Sequence, residues 1–292
     1  METTNTKNVL ITGCSTGIGF AIAETLARNG YHVYATMRNP QKAPELAKLA
    51  KKENLPLKVL TMDVDDEASV KSAVNEVLSN SGQIDILVNN AGIAIVGSVE
   101  ELPFDVFQAT MQTNYFGTLR CIQAVLPAMR KRNNGHIINI TSVSGKLYGP
   151  CFGSYTASKA AVEALSESLA GEAGRFGIRI SVVEPGVIDT PIITKLGDRK
   201  VQSEYPGHFR MEAYLKASAS HHVMPSEVAE TVLAIANGEK TAFRNPVGAD
   251  AEPLLNWRAA LSDEDWIAAG GIDEDTWVAG MEQMGMDVRA FM

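Results

Sequence analysis

Short apolar, β-branched runs recur along this chain, each separated from the next by enough residues for a helix. That rhythm constrains the fold more than any other feature. The runs are Asn8–Thr12 (NVLIT), Tyr31–Met37, Leu57–Met62, Ile84–Val88, Ile137–Thr141 and Ile178–Val183. A short apolar run bounded by turn residues reads as a strand buried on both faces. Helical periodicity fills the gaps: Phe20–Asn29, Pro44–Lys52, Asp66 to about Leu78, Phe104–Arg132, and an alanine-rich segment opening near Ser154. Strands alternating with helices imply parallel pairing through right-handed crossovers, hence an α/β, doubly wound sheet with helices on both faces. Ligands of such sheets sit beyond the carboxyl ends of the strands. Gly13, Arg38, Asp63, Asn90, Ser142 and Pro185 all fall at expected strand ends.

TGCSTGIG at 12–19 joins the first strand to the first helix. Gly13 permits a tight turn, Gly17 lets the backbone approach a phosphate, and Gly19 lets the helix pack on the strand; the helix N–H groups bind the anion. The spacing differs from the common G-x-G-x-x-G pattern. A dinucleotide site usually places an acid after the second strand to hold a ribose hydroxyl. Here no Asp or Glu lies between Tyr31 and Pro40, and Arg38 offers a cation for a 2′-phosphate instead, which favours NADP over NAD.

Tyr155 and Lys159 lie four apart in the alanine-rich helix, one turn from each other on one face. A phenol titrates near pKa ~10, and a neighbouring ammonium favours the phenolate and draws that value toward neutrality. A hydroxyl at Ser142, where the preceding strand ends, completes a set able to bind a carbonyl oxygen and exchange a proton with it. Asn114, within the long helical stretch, competes for backbone hydrogen bonds and is expected at a bend or beside a water.

The net charge of −8 argues against nucleic acid or an anionic membrane as partner, and no apolar run approaches the ~20 residues of a membrane span. The polar start METTNTKNVL reads as neither signal nor transit peptide. Cys14, Cys121 and Cys151 are few and scattered, consistent with reduced thiols in a cytoplasmic protein. Adjacent His221 and His222 point apart on a regular element, so no metal site is expected.

Taken in order, TGCSTGIG, Asp63-Val64, Asn89-Asn90-Ala91-Gly92, Asn114, Ser142, YTASK at 155–159 and PGVIDT at 185–190 resemble the short-chain dehydrogenase/reductase family, in its non-extended branch and near its hydroxysteroid- and retinol-type members. The resemblance covers roughly residues 7–195. It implies a Rossmann-type sheet of about seven parallel strands and a nicotinamide cofactor, NADP on the Arg38 argument. It further implies Tyr155 as acid/base, Ser142 as the group polarising a carbonyl, Lys159 as holder of the nicotinamide ribose, and Asn114 as anchor of a relay water. Gly13, Ser15, Thr16, Gly17, Ile18 and Gly19 would cradle the dinucleotide phosphates. Asp63 and Val64 would flank the adenine, and Asn90, Ala91 and Gly92 its ribose. Pro185, Gly186, Val187 and Thr190 would meet the nicotinamide carboxamide, and Ser15 with Arg38 the 2′-phosphate. Family analogy also suggests a homodimer or homotetramer.

Residues 1–250 are expected to form the dinucleotide-binding and catalytic domain, with a substrate lid at 195–222. The acidic remainder, 251–292, reads as a C-terminal helical extension packed on the domain or on a partner subunit, its Trp257, Trp266 and Trp277 serving as packing residues. Between Ser142 and Tyr155, the loop residues Leu147, Tyr148, Cys151 and Phe152 offer an apolar lining and no cation for a carboxylated substrate. A hydrophobic ketone or aldehyde reduced with NADPH is the expected substrate. The rivals are NAD-dependent oxidation of a secondary alcohol on the same scaffold and a non-catalytic dinucleotide sensor. The presence of Asn114, Ser142, Tyr155 and Lys159 together argues against the sensor.

Overall fold

A computed structural model describes residues 6–196, 202–220 and 223–292. Its strands are β1 Asn8–Ile11, β2 His32–Met37, β3 Leu57–Thr61, β4 Ile86–Asn89, β5 Gly135–Ile140, β6 Ile178–Pro185 and β7 Arg244–Val247. All pair in parallel, in one sheet of order β3-β2-β1-β4-β5-β6-β7. The chain winds outward from β1 to β3, then returns to β4 and winds the other way. The crossovers from β1 and β4 therefore leave on opposite faces and open a crevice above their carboxyl ends. β1, β4 and β5 are buried along their whole length, as continuous apolar runs require when helices cover both faces. β7 lies at the sheet edge and contains Pro246, a residue without an N–H that only an edge strand accommodates.

On one face α1 (Gly17–Arg28) packs beside α9 (Pro225–Asn237): Ile22 and Leu26 meet Val228, Val232 and Ile235 over Ile11, Val33 and Val88. α2 (Glu45–Glu53) adds Leu46 to the same layer. The other face carries α3 (Glu67–Ser81), α5 (Gly117–Arg132) and α6 (Gly153–Ala173), with Val74, Val77, Ile122, Val125, Met129 and Leu169 over Leu10, Leu87 and Ile137. Asp66 caps α3, its carboxylate accepting the Ala68 and Ser69 N–H groups at 2.8 and 3.3 Å.

The helix expected over Phe104–Arg132 is divided. α4 (Phe104–Met111) passes through a five-residue π-helical turn, Gln112–Phe116, before α5 begins. Asn114 sits buried in that turn, where the wider backbone frees polar groups for partners outside the helix.

After β6 come α7 (Pro191–Leu196) and α8 (Pro206–Ala219); after β7 come α10 (Ala251–Ala260), α11 (Asp263–Gly270) and α12 (Glu274–Gln283). Ala213 and Ala217 of α8 pack against Val278 of α12 and against Val288. The acidic residues of this region cluster in first helical turns, next to caps formed by Ser262 and Asp273 on the Asp265 and Thr276 N–H groups at 3.1 and 2.9 Å. Among the described residues no helix is long and apolar enough to cross a membrane, and no His/Cys/Asp/Glu cluster could hold a metal ion. His221 and His222 lie outside the described residues, as does part of the 195–222 lid.

Candidate active site

The crevice above β1 and β4 is a cavity of about 390 Å³. The β1–α1 turn lends it Gly13, Ser15, Thr16, Gly17 and Ile18; the ends of β2 and β3 lend Arg38, Asp63 and Val64. Asn90, Ala91 and Gly92 follow β4, and Pro185, Gly186 and Thr190 follow β6. Gly13 has φ +72°, and a Cβ there would stand 2.7 Å from Ala91 Cα. Gly17, at φ +60°, faces the Thr190 methyl, which a Cβ would meet at 3.3 Å. No side chain caps α1, so its first N–H groups remain open to an anion. Arg38 is exposed and has no ion-pair partner among the described residues. Bare backbone, a free helix start and an uncommitted guanidinium fit a dinucleotide.

Gly19 keeps its expected packing role but does not line the crevice, and Val187 lies outside it. Gly19 is buried against the turn itself: a Cβ would stand 2.4 Å from Gly13 O and from Asn90 Nδ2, so its part is the close approach of α1 to β1. Val187 faces a second, apolar cavity, while its N–H donates to Asp250 Oδ2 at 2.9 Å. The Asn90 side chain turns inward, donating to Thr12 O and Gly13 O at 2.9 and 3.1 Å.

Ser142, Tyr155 and Lys159 do converge. Ser142 follows β5, and its hydroxyl accepts the Ser144 N–H at 3.1 Å and donates to Pro185 O at 3.4 Å. Lys159 is buried; its Nζ donates to Ile140 O at 2.9 Å and stands 5.7 Å from the centre of the Tyr155 ring. The electrostatic expectation is not met here. Burial pushes the Tyr155 phenol up to about 12, opposed by the Ser142 hydroxyl and not by Lys159. Burial also brings the Lys159 amine down to about 8, with Glu163 acting in the opposite direction.

Asn114 lines neither cavity. Its Nδ2 donates to Ile93 O and Ser158 Oγ, both at 2.9 Å, and its Oδ1 accepts the Ile93 N–H at 2.8 Å. Both amide hydrogens are thus committed to protein, and Ser158 Oγ passes the connection on to Tyr155 O at 2.7 Å. This side chain ties the loop after β4 to the helix bearing Tyr155.

The second cavity, about 590 Å³, adjoins the first, and Ala94, Ser142, Tyr155, Gly186, Ile192 and Ile193 line both. Leu147, Tyr148 and Phe152 line it as expected. Cys151 does not. It adopts φ +57°, and its sulfur lies 3.2 Å from where a Cβ on Gly207 would be, turned toward the start of α8. What the sequence reading missed is the opposite wall, built by α8 and the C-terminal extension. Trp257, Trp266 and Trp277 all line the cavity, beyond the packing role expected of them. Trp266 Nε1 donates to Tyr148 O at 3.2 Å, so the extension holds the loop between Ser142 and Tyr155 directly. Arg210 of α8 is also in the lining, a cation the loop sequence gave no sign of.

A β-α sheet with this switch point, this glycine turn and this Ser-Tyr-Lys set is an oxidoreductase scaffold. The chain belongs to the short-chain dehydrogenase family, whose model matches residues 7–200. Retinol dehydrogenase 8 of Bos taurus is 38% identical over 269 residues, covering 87% of this chain and 85% of the relative. A short-chain dehydrogenase from Streptomyces avermitilis superposes with TM-score 0.79 at 30% identity over 97% of this chain and 98% of its own. The actinorhodin polyketide ketoreductase, solved with NADPH, superposes with TM-score 0.75 at 29% identity over 88% of this chain and all (100%) of its own.

Proposed function

We propose that this protein reduces a hydrophobic ketone or aldehyde to the alcohol with NADPH. One observation carries the reading: Ser142 and Tyr155 stand where a polar crevice suited to a dinucleotide opens into an apolar cavity. A carbonyl seated there meets both cavities at its oxygen. The dinucleotide, when bound, supplies the hydride. The Ser142 hydroxyl orients the carbonyl oxygen, and Tyr155 delivers its proton to the developing alkoxide. Lys159 holds the ribose beside them, and the walls of the apolar cavity exclude water.

The Tyr155 phenol, held up to about 12, suits this direction. An alkoxide is a far stronger base than any phenolate, so the proton moves downhill. Reduction draws its proton from the neutral phenol, the form that burial favours at Tyr155. Arg38, uncommitted at the β2 end, supports a 2′-phosphate and hence NADPH over NADH. Three free thiols, all buried, support a reducing, cytoplasmic setting, and a homodimer or homotetramer is the assembly proposed by family analogy.

A panel of ketones, aldehydes and secondary alcohols assayed with both cofactors tests this. Reduction with NADPH, lost in Tyr155→Phe with cofactor binding retained, is the expected result. Equal KM values for NADPH and NADH would remove the role given to Arg38, and turnover surviving in Tyr155→Phe would remove the proton donor.

A further inference from the structure

Among the described residues lining the apolar cavity, Arg210 is the one charged side chain. Its Nη1 donates to Ile272 O at 2.7 Å, and its guanidinium carbon stands 5.8 Å from the centre of the Trp277 ring. These contacts fix the head group where α8 meets the extension. No carboxylate pairs with it among the described residues, although the chain carries 34 Asp and Glu against 26 Lys and Arg. The nearby acid on α8, Glu212, pairs instead with His208 and Lys216, at 3.4 and 3.9 Å. Nε is buried with no partner, and Nη2 has none among the described residues. Arg210 is half-buried, with a guanidinium donor left over at the wall of an apolar chamber, where an anionic group of a ligand would find a charge-assisted partner. Tyr155 and Ser142 mark the cofactor side of the same chamber, with Met211, Tyr214 and Leu215 of α8 in the lining as well.

We propose that Arg210 recognises an anionic group on the substrate, so that the natural substrate is an oxo acid. Its carbonyl is reduced at Tyr155, an apolar body fills the Trp- and Met-lined chamber, and a carboxylate at the other end pairs with Arg210. The proposal rests on the carbonyl-reductase reading and refines it. The bland alternative is that Arg210 only ties α8 to the extension through Ile272 and Trp277.

Matched pairs of ω-oxo fatty acids and their methyl esters, over a series of chain lengths, separate the possibilities. The unmodified enzyme is expected to favour the acid in kcat/KM by about 10- to 100-fold, the range of a charge-assisted hydrogen bond. In Arg210→Met the acid-to-ester ratio falls to about one, and Arg210→Lys restores part of it. A purely structural Arg210 lowers both substrates together and leaves the ratio intact, which overturns the proposal. Equal turnover of acid and ester by the unmodified enzyme overturns it too, with the reductase reading still standing; this arm needs no variant to fold. Reduction of neither partner, nor of any other carbonyl in the panel, overturns both.

Discussion

Lys159 and Glu163 lie one turn apart on α6, both buried, and Glu163 is the group that offsets the loss of charge imposed on Lys159 by its surroundings. Glu163 Oε1 accepts the Thr141 hydroxyl at 2.6 Å, next to Ser142, and Oε2 pairs with Arg244 of β7 at 3.2 Å. One carboxylate thus joins the strand end carrying Ser142, the helix carrying Tyr155 and Lys159, and the edge strand.

The alkaline limb of kcat/KM follows from that pair. The Lys159 charge, which the proposed reaction uses at the ribose, disappears as pH rises through about 8. Glu163→Gln removes the influence raising that value, so the limb moves to lower pH. A pH–rate profile reads this directly; a limb that stays in place while only Tm falls assigns Glu163 a packing role alone.

His136 on β5 predicts an acid-side loss of stability. Burial holds it neutral and brings it down to about 3; its Nε2 pairs with Ser181 Oγ at 2.9 Å, and its Nδ1 accepts from Arg179 at 3.0 Å. The unfolded chain takes up this proton near 6.5 and the folded chain does not until about 3. The unfolded state therefore binds more protons between those values, and the stability His136 confers is full above 6.5 and declines as pH falls. Urea midpoints of the wild type should drop more steeply from pH 7 to pH 5 than those of His136→Gln, and parallel curves would exclude this histidine as the cause.

Gly19→Ala tests the α1–β1 contact. A Cβ 2.4 Å from both Gly13 O and Asn90 Nδ2 forces the turn to move, and overpacking of this kind costs on the order of 1–3 kcal/mol. Dinucleotide affinity should fall about tenfold or more, measurable by calorimetry; affinity equal to wild type would mean that the turn yields freely.

Trp266→Ala should act on substrate rather than cofactor. Its indole contacts Trp257 edge-on, with ring centres 5.2 Å apart, and holds Tyr148 through the 3.2 Å hydrogen bond. Loss of that wall is expected to raise KM for bulky carbonyls severalfold while KM for NADPH stays near its starting value. A change confined to NADPH would contradict the assignment of the two cavities.

Local pattern made the sheet, the glycine turn and the Ser142–Tyr155–Lys159 set legible. Each depends on neighbours within a strand end or one helical turn, and the parallel sheet brings strand ends together whatever the loops do. The far wall of the apolar cavity was not legible, because Trp277 and Arg210 meet only through the docking of α12 on α8. Neither helix carries a strong apolar stripe, so their sequences show nothing of which face meets which. Cys151 escaped for a different reason: a left-handed backbone at a non-glycine residue reverses the side expected from its place in the loop. Asn114 was rightly expected at a helix irregularity, but its partner Ile93 lies in an irregular loop that no periodicity marks.

The hydrogen bond from Val187 to Asp250 joins the loop after β6, which borders both chambers, to the residue from which the C-terminal extension springs. Asp250→Ala would therefore loosen that shared border and the root of the apolar chamber's far wall together.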